Sequence, residues 1–169
     1  MINNKKTKTV LFLTILAIIL FLSGLQLYSL LSQGKDKFFK KLHVELKTLE
    51  GVYFNTNDLP FKETLIFFID PDCNECVADI RFIKKNESIL STHFNILLIT
   101  TSVEEKIKDF VQKYAINTEI THILLDEDFK TFIEYEVNSF PTCLHFDKDK
   151  NLVRVIEGAL MSTHQLGLQ

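Results

Sequence analysis

Phe67-Phe68-Ile69-Asp70-Pro71-Asp72-Cys73-Asn74-Glu75-Cys76 is the stretch on which the reading of this chain turns. An apolar, strand-like run breaks at Asp-Pro-Asp and delivers two cysteines separated by two residues. That spacing lets both sulfurs meet at the first turn of a helix, where they can form a short-range disulfide and release it again. The amides of a helix N-terminus favour a thiolate, so Cys73 can serve as a nucleophile. The same spacing also suits a structural disulfide or half of a zinc site. Zinc needs two further ligands, and His43, His93, His122, His145 and Cys143 are present but not at ligand spacing.

Composition narrows the class. The chain has 169 residues, 46% of them hydrophobic, enough for one domain with a true core. Fifteen Phe and no Trp imply an aromatic-rich interior. With three cysteines, two in the pair and one left over, the count fits a redox protein better than a stapled secreted fold. Lys5, Lys6 and Lys8 stand apart from the other 16 basic residues, which face all 22 acidic ones and leave the rest of the chain at -6. An acidic body excludes nucleic acid as a natural partner. There is no basic stripe, no Gly-rich phosphate loop and no internal repeat.

Residues 10–31, from Val10 to Leu31, form a nearly unbroken apolar run without a charge. As a helix it is long enough to cross a hydrocarbon core of ~30 Å. Residues 1–9 then form a basic cytoplasmic N-terminus, and the lysines before the run set an N-in orientation, though Lys35 and Lys37 reduce the contrast. The rival reading is a cleaved signal peptide, whose apolar region is shorter, roughly 7–15 residues, and ends in small residues. Here the run leaves through Leu-Tyr-Ser-Leu-Leu. Ser23-Gly24 resembles a lipoprotein box, but Leu25 stands where the lipidated cysteine must be. The expectation is a retained single-pass anchor in a bacterial cell membrane, a juxtamembrane linker at 32–41 and an extracytoplasmic domain at 42–169.

Patterning in that domain alternates strands with helices. Leu42–Phe54 reads as a hairpin around Glu50-Gly51. Leu65–Ile69 and Phe94–Ile99 are solid apolar runs, as in buried parallel strands. Asn74 to about Leu90 has helical spacing through Val77, Ile80 and Ile83. Ser102 and Glu105 match a capping box for a helix reaching about Tyr114. Ile120–Leu125 is a short strand and Asp126–Tyr135 a short helix, the acids of Glu104-Glu105 and Asp126-Glu127-Asp128 reading as solvated helix starts. Phe140–Phe146 and Leu152–Ile156 are strands joined by a polar turn, and Ser162 with Gln165 can cap a last helix. The fold class is α/β: a central mixed sheet flanked by helices on both faces, with an N-terminal β-hairpin extension and an antiparallel edge.

Three features in order resemble the thioredoxin superfamily, and more narrowly the membrane-anchored extracytoplasmic proteins of TlpA and ResA type. They are the strand leading into Cys73-Asn74-Glu75-Cys76, the segment Val137-Asn138-Ser139-Phe140-Pro141-Thr142, and the strand, turn and Gly158 that follow. The resemblance covers residues 42 to 161. It implies a thioredoxin-like fold and a thiol–disulfide oxidoreductase with Cys73 as the exposed nucleophile and Cys76 as the buried resolving thiol. Pro141 then lies cis, and Phe140 offers backbone groups to an extended substrate. Asp79, three residues after Cys76 and on the same helix face, takes the place of the carboxylate that moves the buried thiol's proton, where relatives more often carry Glu. No cofactor is implied. The partners are disulfide- or thiol-containing proteins and an upstream membrane thiol electron donor.

Departures matter too. The strand acid of thioredoxin is replaced by Phe67, and the Trp before the first cysteine by Asp72. Asp72 and Glu75 oppose a thiolate at Cys73, which leans toward a reductant. Other readings stand beside this one. Asp79 can be an exposed helix charge. Cys143 can be a buried small hydrophobe, or a third thiol near the site that traps Cys73 or binds metal. His122 and His145 read as partly buried strand residues. A Sco-like copper module shares the fold and an anchor, but its cysteines stand three residues apart. A non-catalytic partner domain that keeps the motif as a structural disulfide is the remaining alternative.

Overall fold

The structure, a computed structural model, describes residues 14–26 and 40–168. Residues 14–26 form helix α1, whose side chains are exposed throughout, including Ile18, Leu20 and Phe21. Among the described residues no helix is long and apolar enough to cross a membrane. The two ends of the expected 10–31 span lie outside the described residues.

A separate compact unit spans Lys40–Gln169. Its strands are β1 (Glu45–Thr48), β2 (Tyr53–Asn55), β3 (Glu63–Phe68), β4 (Phe94–Thr100), β5 (Thr121–Leu125), β6 (Thr142–Phe146) and β7 (Leu152–Glu157). They form one sheet in the order β2-β1-β5-β4-β3-β6-β7. The central β3, β4 and β5 are parallel, and all other neighbours are antiparallel. The helices are α2 (Asn74–Lys85), α3 (Glu87–His93), α4 (Glu104–Tyr114) and α5 (Lys130–Glu134).

The apolar runs of β3 and β4 are buried on both faces, and their side chains alternate between two cores. Leu65, Phe67, Ile96, Leu98 and Cys143 pack under the α2, α3 and α4 side chains Cys76, Ile80, Leu90, Ile107 and Phe110. Ile66, Phe68, Leu97, Ile99 and Leu144 pack with Phe132, Tyr135, Leu42 and Val44 on the other face. Buried polar contacts sit at the start of the central strands. Asn95 Nδ2 donates to Thr64 Oγ1 and to the Pro60 carbonyl, and His145 Nε2 lies 2.6 Å from Glu63 Oε2.

Three local expectations are corrected and a fourth takes a short form. The helix after the cysteines breaks at Asn86, whose side-chain amide and backbone N–H both donate to the Phe82 carbonyl and end α2; α3 restarts at Glu87. The Ser102–Glu105 box does not form. Val103 is still extended, the Ser102 N–H is held by Thr100 Oγ1, and α4 starts at Glu104 without a side-chain cap. Asp126 is not a solvated acid. It is buried, and its Oδ2 accepts from the Thr131 and Phe132 N–H groups at 2.9 and 3.0 Å, so the helix starts only at Lys130. The Ser162–Gln165 capping box does form, but on a single 3-10 turn, Thr163–Leu166. Leu160 and Leu166 join the α2-side core.

The Asp126 carboxylate satisfies two first-turn amides of α5 that have no other partner within the helix. Asp126→Ala is expected to lower stability by about 1–2 kcal/mol in urea unfolding. A change near zero would show that α5 holds its place by packing alone.

Candidate redox site

The sheet register builds the site. β6 runs antiparallel to β3 with Phe68 opposite Thr142, so the segment leaving β3 and the segment entering β6 meet at one end of the sheet. The first carries Cys73 and Cys76, and the second carries Phe140 and Pro141. The Phe140–Pro141 peptide bond is cis. Pro141 is buried and Phe140 is 37% exposed. The Pro141 carbonyl accepts from the Gly158 N–H at 2.8 Å, tying this loop to the end of β7.

A tight turn aims the cysteines. Asp70 Oδ1 accepts from the Asp72 N–H at 2.7 Å, and the Asp70 carbonyl accepts from the Cys73 N–H at 3.0 Å. Cys73 is extended and is the N-cap of α2, its sulfur accepting from the Cys76 N–H at 3.2 Å. A sulfur in that position faces the unpaired amides at the N-terminal end of the helix. Cys73 is half-buried, whereas Cys76 is fully buried. Burial pushes the Cys76 thiol well up, and its hydrogen bond with Cys73 and the nearby Asp79 charge push the same way. One sulfur is therefore presented to solvent and the other is kept protonated behind it.

Asp79 is buried rather than exposed. Its Oδ1 accepts from the Leu160 N–H at 2.6 Å, and its Oδ2 has no hydrogen-bond partner. Burial raises its pKa to about 6, against the pull of the Leu160 amide. A carboxyl so poised can take or return a proton near neutral pH. Cys143 faces the same core as Cys76, and burial first, then Asp79, raises its thiol pKa as well.

Three features escaped the sequence reading. Lys106 Nζ bridges Asp72 Oδ2 at 2.7 Å, offsetting one acid beside Cys73. The pair is 34 residues apart in the chain and becomes adjacent only through the β3–β4 register. The Leu160 amide is a backbone donor with no sequence signature. Phe129, Ile133 and Phe140 line a groove at the same end of the sheet. Two of the histidines weighed for metal, His122 and His145, lie elsewhere. His122 stacks on Phe54, and His145 meets Glu63 at the opposite end of β3. Among the described residues no group of three or more potential ligands is assembled.

Asp79 carries a pH signature. Between the ordinary carboxyl value of 3.8 and its folded value of about 6, the folded chain retains a proton that the unfolded chain has lost. Its contribution to stability therefore falls as pH rises through that window, and above it the buried charge opposes folding. Asp79→Asn keeps an acceptor for Leu160 and removes the charge. Expected is a gain on the order of 2–3 kcal/mol at about pH 7.5, with a flatter slope between about pH 4 and 6. Urea unfolding across that range checks it, and an unchanged slope would overturn the assignment.

The thioredoxin-like domain family matches residues 55–166. No curated protein matches the sequence. Among solved structures, the chain is similar to a secreted Mycobacterium tuberculosis disulfide oxidoreductase homologous to E. coli DsbE, with 23% identity and a TM-score of 0.62 over 73% of this chain and 90% of that one. StoA from Bacillus subtilis gives 16% identity and a TM-score of 0.61, covering 75% and 95% of the two chains. The C-terminal domain of a Bacteroides thetaiotaomicron protein described as a putative thiol-disulfide oxidoreductase gives 11% and 0.65, covering 77% and 90%. These likenesses are of fold. Together with the family match across most of the domain, they establish that this chain belongs to the thioredoxin superfamily, as a thioredoxin-like domain.

Proposed function

We propose that this chain is a membrane-anchored, extracytoplasmic thiol–disulfide oxidoreductase that reduces disulfides of partner proteins. The observation that carries the reading is the asymmetry of the cysteine pair. Cys73 caps a helix at the surface, while Cys76 is buried and protonated beside a carboxyl that titrates near neutrality.

In the reducing direction, the Cys73 thiolate attacks one sulfur of the substrate disulfide. A mixed disulfide forms and the first substrate thiolate leaves. Asp79 takes the Cys76 proton, and the Cys76 sulfur attacks Cys73. The second substrate sulfur leaves and is protonated, and Cys73 and Cys76 end as a disulfide. Two electrons have passed to the substrate, and an upstream membrane thiol donor restores the dithiol. Phe140 and Pro141 flank the substrate's path. The direction rests on charge. Burial and the Asp79 charge both oppose ionisation of Cys76, and an oxidant requires its reduced form to be stabilised. The anchor at 10–31 is supported by the charge-free apolar run and by the exposed apolar side chains of α1.

The test is equilibration of the full chain in graded glutathione or dithiothreitol buffers, with alkylation and mass spectrometry reading Cys73 and Cys76. A midpoint near or below about -220 mV is expected, and one near about -120 mV would make the protein an oxidant. No reversible couple at all would leave the motif structural. In parallel, Cys73→Ser is expected to abolish disulfide reduction, and Cys76→Ser to accumulate the mixed disulfide. Asp79→Asn is expected to slow resolution by about 100-fold in stopped-flow measurements at neutral pH.

A further inference from the structure

β1 outruns one of its neighbours. It pairs with β2 from Glu45 to Lys47, but with β5 only at Lys47 and Thr48. Beyond Leu125 the chain leaves the sheet, so Glu45 and Leu46 have no strand on that side. Residues 126–129 fill part of the notch as a tight turn, closed by the Phe129 N–H donating to the Asp126 carbonyl at 3.1 Å. Between β1 and that turn lies an open pocket of about 250 Å³. Sites for drug-sized ligands occupy roughly 300–1,000 Å³, so this one suits the end of a flexible chain.

The lining is one-sided in charge. Glu45, Asp126, Glu127 and Asp128 are opposed there by Lys47 and Lys130. None of these groups forms an ion pair among the described residues. Glu45 accepts from Asn55 Nδ2, and Glu127 and Asp128 are exposed. Exposed acids alone are ordinary solvated surface and indicate no ligand.

Asp126 is different. It lines the same pocket yet is only 1% exposed. Its Oδ2 is engaged by the Thr131 and Phe132 N–H groups, whereas Oδ1 is buried with no hydrogen-bond partner. Holding α5 requires one side-chain oxygen, which Asn or Ser would also supply. The second oxygen carries a desolvation cost that capping does not explain, and it is the one left for the pocket.

The lining also selects the donor. Among the described residues no three carboxyl, His or Cys groups converge to hold a metal ion. A cation with several N–H groups on a stem meets the arrangement instead, giving one to Asp126 Oδ1 and others to the outer acids. The wall already carries a cation of this kind. Lys47 Nζ stands 5.7 Å from the centroid of the Tyr53 ring, and Tyr53 is 78% exposed. Such an aromatic face suits a guanidinium.

We propose that the notch between β1 and the 126–129 turn binds an organic cation on an alkyl stem, a guanidinium above all. Asp126 Oδ1 is the buried acceptor, and Glu127 and Asp128 are the outer ones. The cation arrives either as a free amine or as an arginine side chain of a polypeptide. No lining residue belongs to the cysteine or cis-proline segments, so the assignment is independent of the oxidoreductase reading.

Agmatine titrated into the isotope-labelled full chain, followed by amide NMR, tests this. The Thr131 and Phe132 amides bond Asp126 Oδ2 and act as reporters. Saturable shifts are expected there, at Asp126–Asp128 and at Glu45–Lys47, and about 0.5 M salt should weaken binding severalfold. Asp126→Asn keeps an acceptor for α5 and puts an amide donor in place of the idle oxygen. Agmatine affinity should then fall at least about tenfold. The double change Glu127→Gln with Asp128→Asn leaves the Asp126 cap untouched and should weaken binding about threefold. N-acetyl-arginine amide binding as well as agmatine would assign the site to a polypeptide side chain, and a preference of about tenfold for agmatine would assign it to a free amine. No saturable shift up to about 10 mM agmatine, or the same affinity in both variants, would overturn the proposal. Calcium chloride alone saturating the same shifts at lower concentration would also overturn it, by giving the notch to a metal ion.

Discussion

The Asp79 carboxylate lies in the hydrophobic core and holds the Leu160 N–H at 2.6 Å. That one bond joins the active-site helix to the segment that follows the last strand, and it brings Leu160 and Leu166 onto the core over the cysteines. A buried acid with a single hydrogen bond is a poor way to gain stability, because its charge is only partly compensated. It is a good way to keep a proton acceptor where water does not reach. The same burial that raises Asp79 raises Cys76, and the Asp79 charge opposes ionisation of Cys76. The site thus stores at most one of these protons' worth of negative charge at a time.

Around that centre the fold supplies position. Parallel β3 and β4 place the turn at Asp70 beside the start of α4, which lets Lys106 reach Asp72. Antiparallel β6 returns the chain to the end of β3, which puts the cis Phe140–Pro141 bond at the cysteine end. Neither neighbour is local in sequence, and neither side chain reaches the site without the sheet register. The nucleophile belongs to a helix N-terminus, and its surroundings are contributed by strand ends.

The parts of the site that are local in sequence were legible. The C-x-x-C spacing, the apolar runs of β3 and β4, the order of elements and the Asp79 helix face all follow from periodicity and turn chemistry. The Ser102–Glu105 pattern misled because a capping box there needs the chain to turn helical at Val103, whereas Val103 is extended and the helix starts at Glu104. Asp126 misled because three successive acids look solvated, whereas one of them was needed inside to hold α5. Asp79 could not be placed by its spacing alone, since i,i+3 shares a face whether that face is wet or dry. Lys106, the Leu160 amide and the groove depend on long-range register or on backbone, and side-chain patterns encode neither.

The central strands are apolar on both faces, so hydrophobic burial alone is nearly indifferent to how far one strand slides along another in steps of two residues. What indexes them is polar and remote. The Asn95–Thr64 hydrogen bond and the His145–Glu63 pair lock β4 and β6 to β3 at the end opposite the cysteines. Those four residues act as a vernier for the whole sheet. The alignment of Cys73 with the cis proline is a length measured out from the far side of the domain, and chemistry at one pole inherits its precision from contacts at the other.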